Sequence, residues 1–538
     1  MKKIALLLAV CLIMGVLAGC GSVETGNEAP SSNQQTPIDN QSGDITPIMG
    51  GTLIVGMTGD PATYNPDFQA DGYLQPIAEN IFNRLVKITN EQKIVPDLAK
   101  SYEISEDGKE ITFHLNENIK WHDGEAFSSA DVKFTFDTII SQNGQLAGSL
   151  TSVEEIIAPD DNTVVFKLKK NDSSLLGYLA WDACYIIPKH IYEGTDWGTN
   201  PANQNPIGTG PFKFVNHEKG VSVTLERYDD YWGDVAYLDK IIFSIIPDAN
   251  TAVQALYNNE LDVLGIEPPL SEIQKFQSDP NLKIGKQYWP SRYYVFFNLK
   301  DSIFANEKLR QAVSLGIDKD DIIKKALKGV GEKSNTAMTP VYDWALNDAD
   351  VFPERDVEKA RKLIEEAGYK ADSKGMYFSA SFDVFNIEPF PDIVAIIKDN
   401  LKDVGIDVNI NVMEGAAWDE KVWYGRNYEF SLLAGYQGPD PGALKPRFST
   451  GEVINLMGYS NPKLDEALTK GAAYVEQNER APYYKEAQKY IVNDVPVVPI
   501  SEYISIIPYQ SYIMGHPTSE EVIDKTGFHE YTYVWMNK

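Results

Sequence analysis

Apolar positions recur along this chain with two periods, two and about 3.6, and the switches between them mark out its elements. "GTLIVGM" (51–57) reads as an opening strand. In "KEITFHL" the apolar Ile111, Phe113 and Leu115 alternate with Thr112 and His114, the signature of a half-buried strand. "SSADVKFTFDTII" follows, where Ser128 and Asp131 have the spacing of a capping box and predict a helix start. "NTVVFKLK" (162–169) is a further strand, "NPIGTGPFKF" (205–214) a Gly/Pro turn into a strand, and "ANTAVQALYNNELDVLG" (249–265) a helix followed by a short buried strand.

The second half alternates helix and strand more regularly. In 391–412, Pro391 fits a first helical position and Gly405 the stop. Ile406, Val408, Ile410 and Val412 then alternate as a strand. "DVEKARKLIEEAGY" (356–369) places Val357, Ala360, Ile364 and Ala367 on one helical face, with Gly368 after it. "NPKLDEALTKGAAYVEQ" and "ERAPYYKEAQKYIVND" predict two more helices, and "VPVVPISEYISIIPY" extended chain. This alternation predicts an α/β or mixed α+β fold with mixed sheets.

The start of the chain has another pattern. Two lysines precede an uncharged, mostly apolar run from Ile4 to Ala18, 15 residues long. That is short for a membrane span and suits the h-region of a signal peptide, residues 1–19. Leu17-Ala18-Gly19-Cys20 resembles a bacterial lipobox, which implies cleavage before Cys20 and lipidation of its thiol. Residues 21–49 contain no aromatic, Lys or Arg, so they bury too little to offset ordering and read as a disordered tether of about 30 Å.

Composition narrows the function. The 538 residues are 43% hydrophobic and 11% aromatic, enough for two or three globular domains. The net charge is −29, and losing Lys2 and Lys3 with the signal makes it −31, a balance that repels nucleic acid. Cys11 leaves with the signal and Cys20 is lipidated in this reading. Cys184 is then the one remaining thiol, so no internal disulfide forms, and its apolar neighbours predict a core position.

The sequence holds no Walker A, G-x-S-x-G, H-E-x-x-H or C-x-x-C pattern, and its six histidines lack metal-ligand spacing. No catalytic residue, metal or cofactor is expected. His122-Asp123 reads as a turn rather than a catalytic pair. Aromatic residues instead gather in Gly/Pro/Asn-rich stretches such as "DPATYNPDF", "QYWPSRYY", "EGAAWDEKVWYG" and "LLAGYQGPDPGA", where rings with polar tips suit a ligand cleft.

Six blocks then carry a family resemblance. They are 95–139, from "VPDLAKSYEISEDGKEITFHL" through "KWHDGEAFSSADVKFTFDTI", "NPIGTGPFKF", "ALYNNELDV", "NLKDSIFANEKLRQAVSLGID", "AGYQGPDPGALKPRFSTGEVINLMGYSNPKLDEAL" and "VPVVPI". In this order they resemble the oligopeptide/dipeptide-type extracytoplasmic solute-binding proteins of ABC importers, peptide-binding protein family 5. The resemblance implies a two-lobed periplasmic-binding-protein-like fold with an extra domain and a hinged cleft. Lobe I would combine 50–86, 205–292 and 500–538, the extra domain 87–204, and lobe II 293–499. The protein would be a monomer on the outer face of the cell membrane, lipid-anchored through Cys20. It would hand oligopeptides to permease subunits whose partner ATPases supply the energy. Oligosaccharides, nickel chelates or haem are alternative cargoes within the family, and an enzyme or scaffold on this fold is a third reading.

The resemblance also nominates ligand-binding residues. A lobe II acid pairs with the peptide amine in relatives, but the loop 435–443 is shorter here, leaving Asp440 as either that partner or a turn residue. Tyr436 and Gln437 share the loop, and Trp418 matches a ligand-contacting Trp. Tyr64 and Asn65 fall in a cleft-facing region, and Trp289 and Tyr293 near the crossover between lobes. Where dipeptide binders place an Arg, this chain has "FNIEPFPD", with Glu388 and no Arg.

Overall fold

Three sheets of four or more strands form where the apolar alternation is strongest, beside two two-stranded ones. The computed structural model describes residues 46–538 other than Ala70 and Asp182, and the backbone only of Tyr436. The expected signal segment, Cys20 and nearly all of the tether lie outside the described residues.

In the first sheet Thr52–Met57 pairs in parallel with Lys240–Ile245, and Ser222–Arg227 and Phe212–Glu218 continue it antiparallel. Leu53, Val55, Val223, Leu225, Ile241 and Phe243 turn inward to a core that also holds Tyr509 and Val534 from the end of the chain. The second sheet is antiparallel, in the spatial order Ala99–Ile104, Glu110–Leu115, Thr163–Leu168, Val153–Asp160. The predicted capping box is present, and its helix, Ser129–Ser141, lays Val132, Phe136 and Ile139 on this sheet. Phe136 meets Phe166 edge-on at 5.0 Å.

The third sheet has six strands in the order Glu332–Lys333, Val497–Gln510, Leu282–Phe297, Phe430–Tyr436, Phe378–Phe385, Ile406–Met413. Its two longest strands do more than build one core. Leu282–Tyr288 pairs with Ile504–Gln510 beside the first core, and Arg292–Phe296 pairs with Val497–Glu502 inside the largest one. The register breaks between, at Trp289-Pro290-Ser291. Pro290 has no N–H to give a ladder, which accounts for an interruption at this point. The result is two lobes spanned by a two-stranded ribbon, with the second sheet as an extra unit packed alongside.

The predicted elements recur with small differences. Helix Phe390–Val404 ends at Gly405, φ +91°, and strand Ile406–Met413 follows. Along that strand, at the sheet edge, Ile406 and Val408 are buried but Val412 is exposed. The short strand expected after helix Ala249–Tyr257 reduces to single bridges from Val263 to Val55 and to Tyr509. The segment is wedged between two strands and is too short to extend the ladder. Cys184 is fully buried.

Candidate functional site

A chamber of about 1250 Å³ lies between the extra unit and the six-stranded lobe, with the ribbon as its floor. Tyr288, just before the break in register, and Trp289, within it, rise from one ribbon strand, and Glu502 and Tyr503 from the other. The far wall includes the 3₁₀ helix Pro340–Ala345, which Pro340 starts and which presents Asp343 and Trp344.

Trp289 is fixed from behind. Its Nε1–H donates to Ser505 Oγ at 3.1 Å and its ring packs on Phe528 at 4.6 Å. Tyr288 donates its hydroxyl to Glu332 Oε1 at 3.2 Å. Glu502 accepts from Ser334 Oγ and lies 3.0 Å from Arg292 Nη2, a pair buried on both sides. Burial pushes the Tyr503 hydroxyl up to about 12, so it stays a neutral donor.

The two sides of the chamber touch at a few points along its rim. Asn171 Nδ2 donates to Ala473 O across it at 3.0 Å. Gly177 lies against Pro439, where an added Cβ would sit 3.0 Å from Pro439 Cβ.

Of the residues nominated from sequence, Trp289 and Asp440 line the chamber. Asp440 is already engaged. Its Oδ1 accepts from Gly442 N at 2.7 Å and from Arg480 Nη2 at 2.6 Å, which makes it both a turn residue and half of a buried ion pair. Burial pushes its carboxyl up, and Arg480 opposes that shift. Gln437 Oε1 accepts from Thr339 N, and its own N–H donates to Pro290 O at the register break, so it braces the ribbon from outside the chamber wall. Tyr436 contributes backbone pairing to Ser291.

The others lie in cores rather than in the wall. Trp418 is 1% exposed, stacked on Phe385 at 4.1 Å, with Nε1–H donating to Ser431 Oγ. The helix Gly415–Trp418 points it into the lobe's largest core. Tyr64 packs against Phe214 and His217 in the first core, and Asn65 caps its own turn by accepting from Asp67 N and Phe68 N. Tyr293 is buried against Phe390 and Tyr503, one layer behind the chamber. The pattern missed Glu332, Trp344 and Glu502. Glu502 lay inside "VPVVPISEYISIIPY", read as extended chain, but no local spacing separates a wall acid from any other acid in so acidic a chain.

His122 has a structural role. Its Nε2 donates to Gly210 O at 2.9 Å while Nδ1 accepts from Gly208 N, and burial pushes it down to about 4. The neutral ring thus holds the 205–211 turn. Among the described residues no group of three or more His, Cys, Asp or Glu is placed to hold a metal.

Two lobes on a two-stranded ribbon, facing a solute-sized chamber, define a hinged-cleft solute-binding protein. The chain belongs to the bacterial extracellular solute-binding proteins, family 5, whose middle region matches residues 93–453. Its relatives include the oligopeptide-binding protein AppA of Bacillus subtilis, 26% identical over 92% of each chain. The heme-binding protein A of Haemophilus influenzae is also 26% identical, over 94% of this chain and 95% of its own. A periplasmic binding protein DppA from Helicobacter pylori, solved with the peptide STSA, superposes with a TM-score of 0.72 at 26% identity, covering 91% of this chain and 99% of that one. The family comprises extracytoplasmic binding components of ABC transporters rather than enzymes. No helix among the described residues is long and apolar enough to cross a membrane.

Proposed function

We propose that this protein is the lipid-anchored receptor of an ABC importer that captures oligopeptides between its lobes and delivers them to membrane permease subunits. The observation that carries the reading is the chamber. At about 1250 Å³ it exceeds the usual range for a drug-sized ligand, roughly 300–1,000 Å³. Its wall mixes aromatic faces with polar tips, and peptide backbones need both apolar contact and hydrogen bonds. No His, Met or Cys lies in the described wall, which disfavours nickel chelates and the His- or Met-ligated forms of haem. The three cores support the lobe and extra-domain ranges given by the resemblance.

Anchoring at Cys20 rests on the lipobox resemblance and the tether composition. A tether of that length keeps a loaded receptor near its permease and raises the local concentration. Isothermal titration with defined peptides of two to nine residues tests the cargo assignment. Saturable heat with at least one length class is expected, and heat with oligosaccharides or haem instead would reassign the cargo. Mass spectrometry of the mature protein tests the anchor, with an acylated N-terminal Cys20 expected.

A further inference from the structure

We propose that the chamber selects positively charged cargo and that Glu332 and Glu502 form the subsite that receives the cation. This deepens the oligopeptide reading and rests on it.

The two residues face one another across the sheet. Glu332 and Glu502 are register partners in antiparallel strands, so both side chains stand on one face, and both line the chamber. Like charges directly opposite in a sheet destabilise it unless something lies between or beside them. Arg292 is the register partner of Glu502 on its other side and neutralises one of the two. Glu332 has no basic partner among the described residues, and its one recorded side-chain contact is the Tyr288 hydroxyl. Glu502 keeps an open valence as well. It is 7% exposed, its Oε1 accepts from Ser334 and lies 3.0 Å from Arg292 Nη2, and Oε2 accepts no hydrogen bond, while Arg292 Nε and Nη2 likewise have no hydrogen-bond partner. A buried carboxylate oxygen without a donor costs free energy until a donor reaches it. A ligand ammonium or guanidinium has the donors to bridge the two carboxylates.

The rest of the wall points the same way. Its two basic side chains are already spent, Lys93 on Glu91 and Arg480 on Asp440. Asp172, Asp343 and Glu476 line the chamber without an ion pair among the described residues. A cleft lined by one sign of charge focuses its field on the cargo. Trp289 and Trp344 add aromatic faces on which a desolvated cation gains further attraction. With Asp440 committed to Arg480, this pair supplies the negative charge that a cationic cargo group needs.

The test uses the purified protein and three N-acetylated, C-amidated pentapeptides: alanine throughout, and the same with lysine or glutamate at the centre. Blocked termini leave the central side chain as the one charge. Titration calorimetry is expected to show the lysine peptide binding about tenfold or more tighter than the glutamate peptide, with the gap narrowing as salt is raised. Glu332→Gln, at an exposed position where folding is not at stake, should shrink that ratio about threefold or more. Equal affinities for the two peptides, or an unchanged ratio in the variant, would overturn the cation subsite while leaving the peptide receptor standing. Absence of binding by all three, with heat from another solute class, would remove the peptide reading and this inference with it.

Discussion

Asp440 shows how a residue that looks like a ligand contact can be a structural one. Its carboxylate closes a 3₁₀ turn and meets Arg480 at 2.6 Å, and Arg480 in turn touches the Tyr484 hydroxyl and lies over Trp344. Both charged side chains are nearly inaccessible, at 11% and 4% exposure. Removing one partner of such a pair strands the other's charge in a low-dielectric site, which typically costs about 3–5 kcal/mol. Asp440→Ala is therefore expected to lower unfolding free energy by about 3 kcal/mol in urea titrations. The double variant Asp440→Ala, Arg480→Met should recover much of that loss, because no charge is then left uncompensated. A ligand contact without a structural role would behave otherwise, weakening binding with little change in the urea midpoint.

At the scale of elements, Gly405 links helix Phe390–Val404 to the edge strand. Its φ of +91° belongs to the region glycine enters freely, and an added Cβ would meet Gly375 O at 2.6 Å. Gly405→Ala is expected to cost about 1–3 kcal/mol of stability, read as a lower melting temperature with unchanged peptide affinity, since the turn is remote from the chamber. This junction was legible in the sequence because period, stop residue and strand alternation agreed within one stretch. The same agreement made the Ser128 cap, strand Glu110–Leu115 and the 14-residue ribbon strand Val497–Gln510 readable. Val263 was not, since its bridges to Val55 and Tyr509 depend on partners far along the chain. The chamber was legible least of all. Tyr288, Glu332, Trp344 and Glu502 come from four separate stretches, and only strand register brings Glu332 against Glu502. Trp418 illustrates the converse: an aromatic in a loop-like context proved to be core because a single helical turn aims it inward.

At the scale of the whole molecule, contacts between the two sides of the chamber favour its more closed state. Three of them involve little side-chain bulk. Asn171 reaches the Ala473 carbonyl, Gly108 nears Val475, and Gly177 lies against Pro439. At Gly177 an added Cβ would stand 3.0 Å from Pro439 Cβ and 3.1 Å from its carbonyl oxygen, and a longer side chain would overlap the facing loop outright. Packed surfaces give little at such distances. Gly177→Leu, itself on the chamber wall but apart from Glu332 and Glu502, is thus expected to act as a wedge that penalises closure. A closure penalty of about 1.4 kcal/mol in a protein whose binding-competent form is the closed one weakens apparent affinity about tenfold. Small-angle scattering provides the separate readout. Cargo should reduce the radius of gyration of the native protein and do so less in the variant at equal occupancy. If the variant closed as fully and bound as tightly as the native chain, the Gly177–Pro439 contact would not govern closure, and the seam would have to yield elsewhere.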